Sequence, residues 1–203
     1  TTADNCSVAS VTNNAPTSYP VGNTTVTWIV TDANGLTASC AQTVTVTDNQ
    51  VPTITCPINV SVTTDLNSCV ATAVALGTPT TADNCSVASV TNNAPTSYPV
   101  GTTSVTWIVT DANGLTASCA QTVTVTDNQV PTITCPINVS VTTDLGSCVA
   151  TAVALGTPTT ADNCSVASVT NDAPTSYPVG TTTVTWIVTD ANGLTASCAQ
   201  TVT

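Results

Sequence analysis

The segment TTADNCSVASVTN begins at Thr1, again at Thr80 and again at Thr159, so the chain repeats itself with a period of 79 residues. Cys6, Cys85 and Cys164 keep this spacing, and so do Trp28, Trp107 and Trp186. An internal repeat constrains the fold more than any other feature of a sequence. This period is too long for a solenoid unit that contacts only its neighbours, and it suits a small self-contained domain. A domain of that size buries too little surface to rest on its core alone, and disulfides commonly make up the difference. The copies are nearly identical. They differ at Asn23 against Thr102 and Thr181, at Thr25 and Thr183 against Ser104, at Asn67 against Gly146, and at Asn14 and Asn93 against Asp172. Most of these positions lie beside turn-like sequence.

Within a repeat the pattern is that of short strands. Thr43-Val44-Thr45-Val46-Thr47 alternates strictly, giving one apolar and one polar face. Thr25 to Thr31, Asn59 to Thr63 and Cys69 to Val74 are further runs rich in β-branched residues. Turn signals separate them: Tyr19-Pro20-Val21-Gly22, Asp32-Ala33-Asn34-Gly35, Asp48-Asn49-Gln50-Val51-Pro52 and Asp65-Leu66-Asn67-Ser68. Many short strands without helical periodicity predict an all-β chain of two-sheet sandwiches. The Asp48–Pro52 stretch follows a long strand and ends in proline, which makes it the expected linker. The expected division is therefore 1–47 as the C-terminal part of one module, 48–126 as a complete module, and 127–203 as a nearly complete third. On that reading the sequence is a window on a longer array.

Composition sets the chemistry that is open to such a chain. There is no Lys, Arg or His, and eleven acidic residues give a formal charge of −11. Nucleic acid is excluded as an expected partner, because phosphate binding needs cationic side chains. Docking on an anionic membrane is excluded for the same reason, and no apolar run approaches the length of a membrane span. Ten cysteines point to an oxidising compartment. The competing reading of the cysteines is metal ligation, but zinc sites draw on closely spaced Cys pairs or on His, and neither occurs here.

The ordered set of short motifs in one repeat resembles the hyalin repeat (HYR) module. It comprises Asp48-Asn49-Gln50-Val51-Pro52-Thr53-Ile54-Thr55-Cys56-Pro57, Ala82-Asp83-Asn84-Cys85 and Tyr98 to Trp107. Asp111-Ala112-Asn113-Gly114, Ala117-Ser118-Cys119 and Val123 to Asp127 complete it. The resemblance covers every repeat. It implies an immunoglobulin-like fold, an extracellular setting, an association with cell adhesion and long surface proteins, and no catalytic residues. Near-identical copies and the lack of basic residues depart from typical members and suggest a fibre or stalk selected for uniformity.

Four cysteines in the middle module, Cys56, Cys69, Cys85 and Cys119, allow three internal pairings. The favoured one is Cys56–Cys119 with Cys69–Cys85, which places the first bond between the first strand and a point near the last. Its counterparts are Cys135–Cys198 and Cys148–Cys164, while Cys6 and Cys40 would need partners ahead of Thr1. Asp48 and Asn49 at the linker, Asp83 and Asn84 before a cysteine, and Asp111 and Asn113 in a turn offer carboxylate and amide oxygens near a module junction, and clustered hard oxygens suit calcium. The linker residues Asp48 and Asn49, with their equivalents Asp127 and Asn128, are the candidate ligands. The alternative is that Asp and Asn side chains simply satisfy turn backbones. No EF-hand spacing is present, and no other cofactor is expected. The tryptophan is expected in the core against a disulfide, with a carbohydrate-stacking surface as the alternative. Asn5-Cys6-Ser7, Asn23-Thr24-Thr25 and Asn59-Val60-Ser61 match the glycosylation sequon.

These readings predict a non-enzymatic, structural repeat segment of an extracellular or cell-surface filament, stalk or adhesin that projects or links cells. Its expected partners are copies of itself, in a fibre or tandem array. The alternative is an adhesin module that itself recognises a cell-surface glycan or protein, with calcium dependence a possibility.

Overall fold

A computed structural model describes residues 1–203. The chain is all-β, with eighteen strands and no helix. The first repeat contributes β1 (Val8–Asn13), β2 (Gly22–Asp32) and β3 (Thr37–Val46), which form one antiparallel sheet in the order β1-β2-β3. The second contains β4 (Thr53–Thr55), β5 (Val60–Thr63), β6 (Val70–Thr72), β7 (Thr80–Ala82), β8 (Val87–Asn92), β9 (Ser97–Pro99), β10 (Gly101–Asp111) and β11 (Thr116–Thr126). Its strands make a four-stranded sheet, β5-β11-β10-β8, and two short ladders, β4-β7 and β6-β9. β5 runs parallel to β11, with Val60 opposite Val123.

The third repeat follows the same plan with β12 (Thr132–Thr134), β13 (Val149–Thr151), β14 (Thr159–Ala161), β15 (Val166–Asn171), β16 (Ser176–Pro178), β17 (Thr182–Asp190) and β18 (Thr195–Val202). Its ladders are β12-β14, β13-β16 and β15-β17-β18. Where the second repeat has β5, the third has a single parallel bridge from Val139 to Val202.

The long strands show how period-two patterning builds the core. Along β10, Val105, Trp107, Val109 and Asp111 are buried while the Thr residues between them are less so. Val184, Trp186, Val188 and Asp190 repeat this on β17. Trp107 is 7% exposed, in a cluster with Ala71, Tyr98, Val105, Val123 and Val125, and Ile54, Cys56, Leu76 and Cys119 pack against that cluster. Trp28 is 36% exposed, because the first 47 residues hold no counterparts of Ile54, Cys56 and Leu76.

Two compact units are present. One comprises Thr1–Thr53, Thr81–Val90 and Val109–Ala117, and the other Ile54–Thr80, Thr91–Ile108 and Ser118–Thr203. The 79-residue repeat is thus not the unit of compactness. The second unit holds most of the middle repeat, including its early strands and the end of its last, together with all of the third.

Candidate functional site at the repeat junction

Three disulfides are formed. Cys56 is joined to Cys119, and Cys135 to Cys198, each across 63 residues of chain and with Cα atoms 5.7 Å apart. The remaining bond departs from expectation. Cys69 is joined to Cys164, 95 residues away, and not to Cys85. The expected Cys148–Cys164 bond is absent for the same reason, and Cys85 and Cys148 are exposed thiols, as are Cys6 and Cys40. The second and third repeats therefore each have one internal staple, and one further bond joins them to each other.

Local structure explains this exchange. Asp65 to Cys69 form a tight turn, in which Ser68 N donates to Asp65 O and Asp65 N to Val70 O, at 3.0 and 2.8 Å. The Asp65 carboxylate holds the far strand through Thr72 N and Thr72 Oγ1. Asn67 adopts φ = 59° at the turn, where its repeat counterpart is Gly146 at 74°, and these are the two residue types that tolerate the left-handed region most readily. The turn so formed faces the linker that opens the third repeat. Asn67 N donates to Gln129 Oε1 at 2.8 Å, and Gln129 Nε2 donates to Thr64 Oγ1 and Asp65 O at 3.1 and 3.0 Å. Thr64 Oγ1 in turn donates to Asp127 Oδ1. Asn163 Nδ2 donates to Ser68 O at 2.8 Å, which brings the adjacent Cys164 to Cys69. The whole junction lies inside the second compact unit.

Asp127 is the hub. Its Oδ1 accepts from Gln129 N and Asn163 Nδ2, each at 3.1 Å, and its Oδ2 from Asn192 Nδ2, also at 3.1 Å. Burial alone would raise this carboxyl, but donation from Gln129, Asn163, Thr64 and Asn192 outweighs it and holds the group below the usual carboxylate range. Asp48 fills the same role 79 residues earlier. It accepts from Gln50 N, from Asn84 Nδ2 at 3.3 Å and from Asn113 Nδ2 at 3.0 Å. The Gln50 amide, then the Cys85 thiol, lower its carboxyl. That contact raises the Cys85 thiol in turn, with burial and the charges of Asp48, Asp83 and Asp111 adding to the effect.

Of the four linker residues proposed as metal ligands, Asp48 and Asp127 stand in acidic groups, with Asp83 and Cys85 and with Asp162 and Asp190 respectively. Asn49 and Asn128 adjoin them in sequence, but the amides that reach these carboxylates are Asn84, Asn113, Asn163 and Asn192. Gln129, which clasps the junction, was not singled out from sequence, and Asn163 was foreseen only through its counterpart Asn84, as a calcium ligand and not as a clasp. The signal available was their recurrence in every linker and every Asp-Asn-Cys motif.

A second feature the sequence reading passed over lies in the core. Gln121 and Gln200 are fully buried. Trp107 Nε1 donates to Gln121 Oε1 at 3.0 Å, and Gln121 Nε2 donates to Ile58 O and Leu76 O at 2.7 and 2.9 Å. Trp186 and Gln200 repeat the arrangement with Ile137 O and Leu155 O.

Near-identical repeats, two of them closed by internal disulfides and joined to each other by a third, define a tandem array of immunoglobulin-like β-sandwich modules. The chain belongs to the HYR domain family, whose model matches residues 1–46, 47–125 and 126–203. No curated protein sequence matches it. Among solved structures it is similar to the protocadherin GammaB4 extracellular domain, at 14% identity and TM-score 0.38 over 90% of this chain and 38% of that one. It is similar also to Drosophila N-cadherin EC1-4, at 11% identity and TM-score 0.38, over 91% of this chain and 57% of that one. Mouse Cadherin-23 EC22-24 matches at 15% identity and TM-score 0.38, over 90% of this chain and 74% of that one. The chain thus spans well under half the length of the first of these.

Proposed function

We propose that this chain is a load-bearing repeat segment of an extracellular filament or stalk, in which the modules project and space rather than catalyse or recognise. The observation that carries this reading is the Cys69–Cys164 bond. A disulfide across a module junction adds nothing to the core of either module, but it gives consecutive modules a second covalent connection beside the linker. The near-identity of the repeats and their variation beside turns support the same reading, because a spacer has no need of distinct surfaces. Absence of Lys and Arg removes every trypsin cleavage site, an advantage to an exposed fibre.

Single-molecule pulling on the oxidised 203-residue chain tests the proposal. The two internal staples each shield 63 residues from load, so reduction is expected to lengthen the fully stretched chain by about 450 Å at ~3.6 Å per residue. An oxidised chain that already extends to its reduced length would overturn a load-bearing role. A single recombinant module that binds a cell-surface glycan or protein would replace it with recognition.

A further inference from the structure

Asp127, Asp162 and Asp190 each offer a carboxylate oxygen, and these lie within 4.8 Å of one another. The chain has no Lys, Arg or His with which to neutralise them, and like charges this close repel more strongly as water is displaced. The way each group is held sharpens the difficulty. Asp162 Oδ2 accepts from Cys164 N and Ser165 N, both at 2.9 Å. Asp190 Oδ1 accepts from Asn192 N and Leu194 N at 2.9 and 2.8 Å. Their other oxygens, Asp162 Oδ1 and Asp190 Oδ2, are buried without a hydrogen-bond partner, and so is Asn163 Oδ1. Asp190 is only 2% exposed. Turn-capping accounts for one oxygen of each carboxylate and leaves the second, buried and bare, unexplained.

A related design recurs one repeat earlier, in the other compact unit, where Asp48 and Asp83 lie with the Cys85 thiol within 4.8 Å of one another and Asp111 adjoins them through Asn113, whose amide reaches Asp48. Asp83 Oδ2 is braced by Cys85 N and Ser86 N, and Asp111 Oδ1 by Asn113 N and Leu115 N. Asp83 Oδ1 and Asp111 Oδ2 are buried and bare, and Asp111 is 2% exposed.

We propose that these two groups, Asp127–Asp162–Asp190 with Asn163 and Asp48–Asp83–Asp111 with Asn84, are binding sites for a hard divalent cation of the calcium class. Several oxygens from carboxylate and amide groups, completed by water, match the six to eight oxygen ligands that Ca²⁺ takes in flexible geometry. Zinc is disfavoured, since it prefers several thiolate and imidazole ligands: the chain has no His, Cys164 is committed to its disulfide, and Cys85 is the one thiol beside the earlier group. Asp127 opens the third repeat, Asp162 precedes β15 and Asp190 ends β17, while Asn163 also holds Ser68 O of the preceding repeat. A bound ion would therefore tie the linker to the module it opens and stiffen the joint beside the disulfide.

The test is calorimetric titration of Ca²⁺ into the oxidised, chelator-stripped 203-residue chain at physiological ionic strength. Two sites per chain are expected, with the melting temperature rising by about 10 °C or more once Ca²⁺ exceeds its Kd a hundredfold. Asp190→Asn keeps the Oδ1 that caps its turn and loses a charged ligand, so it should weaken one site about tenfold or more, and Asp111→Asn the other. Asp144→Asn removes the same charge from a turn outside both groups, where Asp144 holds Thr151, and should leave both sites intact. Absence of binding heat and of any thermal shift at millimolar Ca²⁺ would overturn the proposal. So would an Asp144→Asn chain weakened as much as Asp190→Asn, which would mark a diffuse counterion effect. The ion is read directly, so the result stands apart from whether the chain bears load.

Discussion

At the scale of single residues, Gln121 does the work that lets a tryptophan sit in so small a core. An indole N–H buried without a partner costs about 1–3 kcal/mol. Gln121 accepts that proton with its carbonyl while its amide group satisfies two main-chain oxygens. Replacing it with leucine preserves bulk and removes all three hydrogen bonds. Gln121→Leu is expected to lower the unfolding free energy by roughly 3 kcal/mol, measured by denaturant titration with the disulfides intact. A loss under about 1 kcal/mol would mean that water replaces the amide without difficulty. The tryptophan itself was legible in the sequence, because flanking β-branched residues at period two place it on an inward face. Its glutamine partner was not, because polarity alone argues against burial, although period two sets Gln121 on the face of Val123 and Val125. The repeat differences are easier to understand once the geometry is known. Asn14 Oδ1 accepts from Thr27 N and Asp172 Oδ1 from Thr185 N, so only the oxygen common to both side chains is used.

At the scale of elements, strands and turns followed from alternation and from Asp, Asn, Gly and Pro placement, and the cysteine pairing only in part. Cys56 lies just past β4 and Cys119 within β11, a closure that the order of strands suggests. Cys69 posed a different problem. In a chain of near-identical repeats, Cys85 and Cys164 have the same neighbours in sequence, so no local pattern separates a bond within a repeat from one to the next. What decides is the turn at Asp65–Ser68, which meets the following linker through Gln129 and Asn163. The internal staple has a calculable weight. In the chain-entropy model a closed loop of this length stabilises by about 4 kcal/mol. The paired change Cys56→Ala and Cys119→Ala should therefore lower stability by about that amount against the oxidised parent. A change of less than about 1 kcal/mol would show that the unfolded chain is already restricted by other means. The Asp48 and Asp127 positions were visible as linker carboxylates and Asp111 as a turn carboxylate of the same cluster, but the burial of Asp111 and Asp190 was not foreseen. Period two continues the inward face one step beyond Val109 and Val188 and so buries both.

At the scale of the whole molecule, the junction bond changes what a break in the chain means. Cys56–Cys119 lies wholly before the linker and Cys135–Cys198 wholly after it, so neither can hold the second and third repeats together once the linker is cut. Cys69–Cys164 spans that point. Val130 is 60% exposed, which makes the bond between Val130 and Pro131 a suitable place to insert a protease recognition sequence. After complete cleavage, the oxidised chain should run as one species on a gel without reductant and as two fragments with it. The same insertion carrying Cys69→Ala should give two fragments under both conditions. Separation of the cleaved parent chain without reductant would mean that the junction disulfide does not form, and the load-bearing reading would lose its main support. Retention in one piece would mean that a single cut in the linker does not part consecutive modules. The Asp127–Asp162–Asp190 group lies beside the same joint, so repeating the cleavage with Ca²⁺ and with chelator separates the two devices. The disulfide governs whether the fragments stay attached, and any ion-dependent change should be confined to how fast the linker is cut.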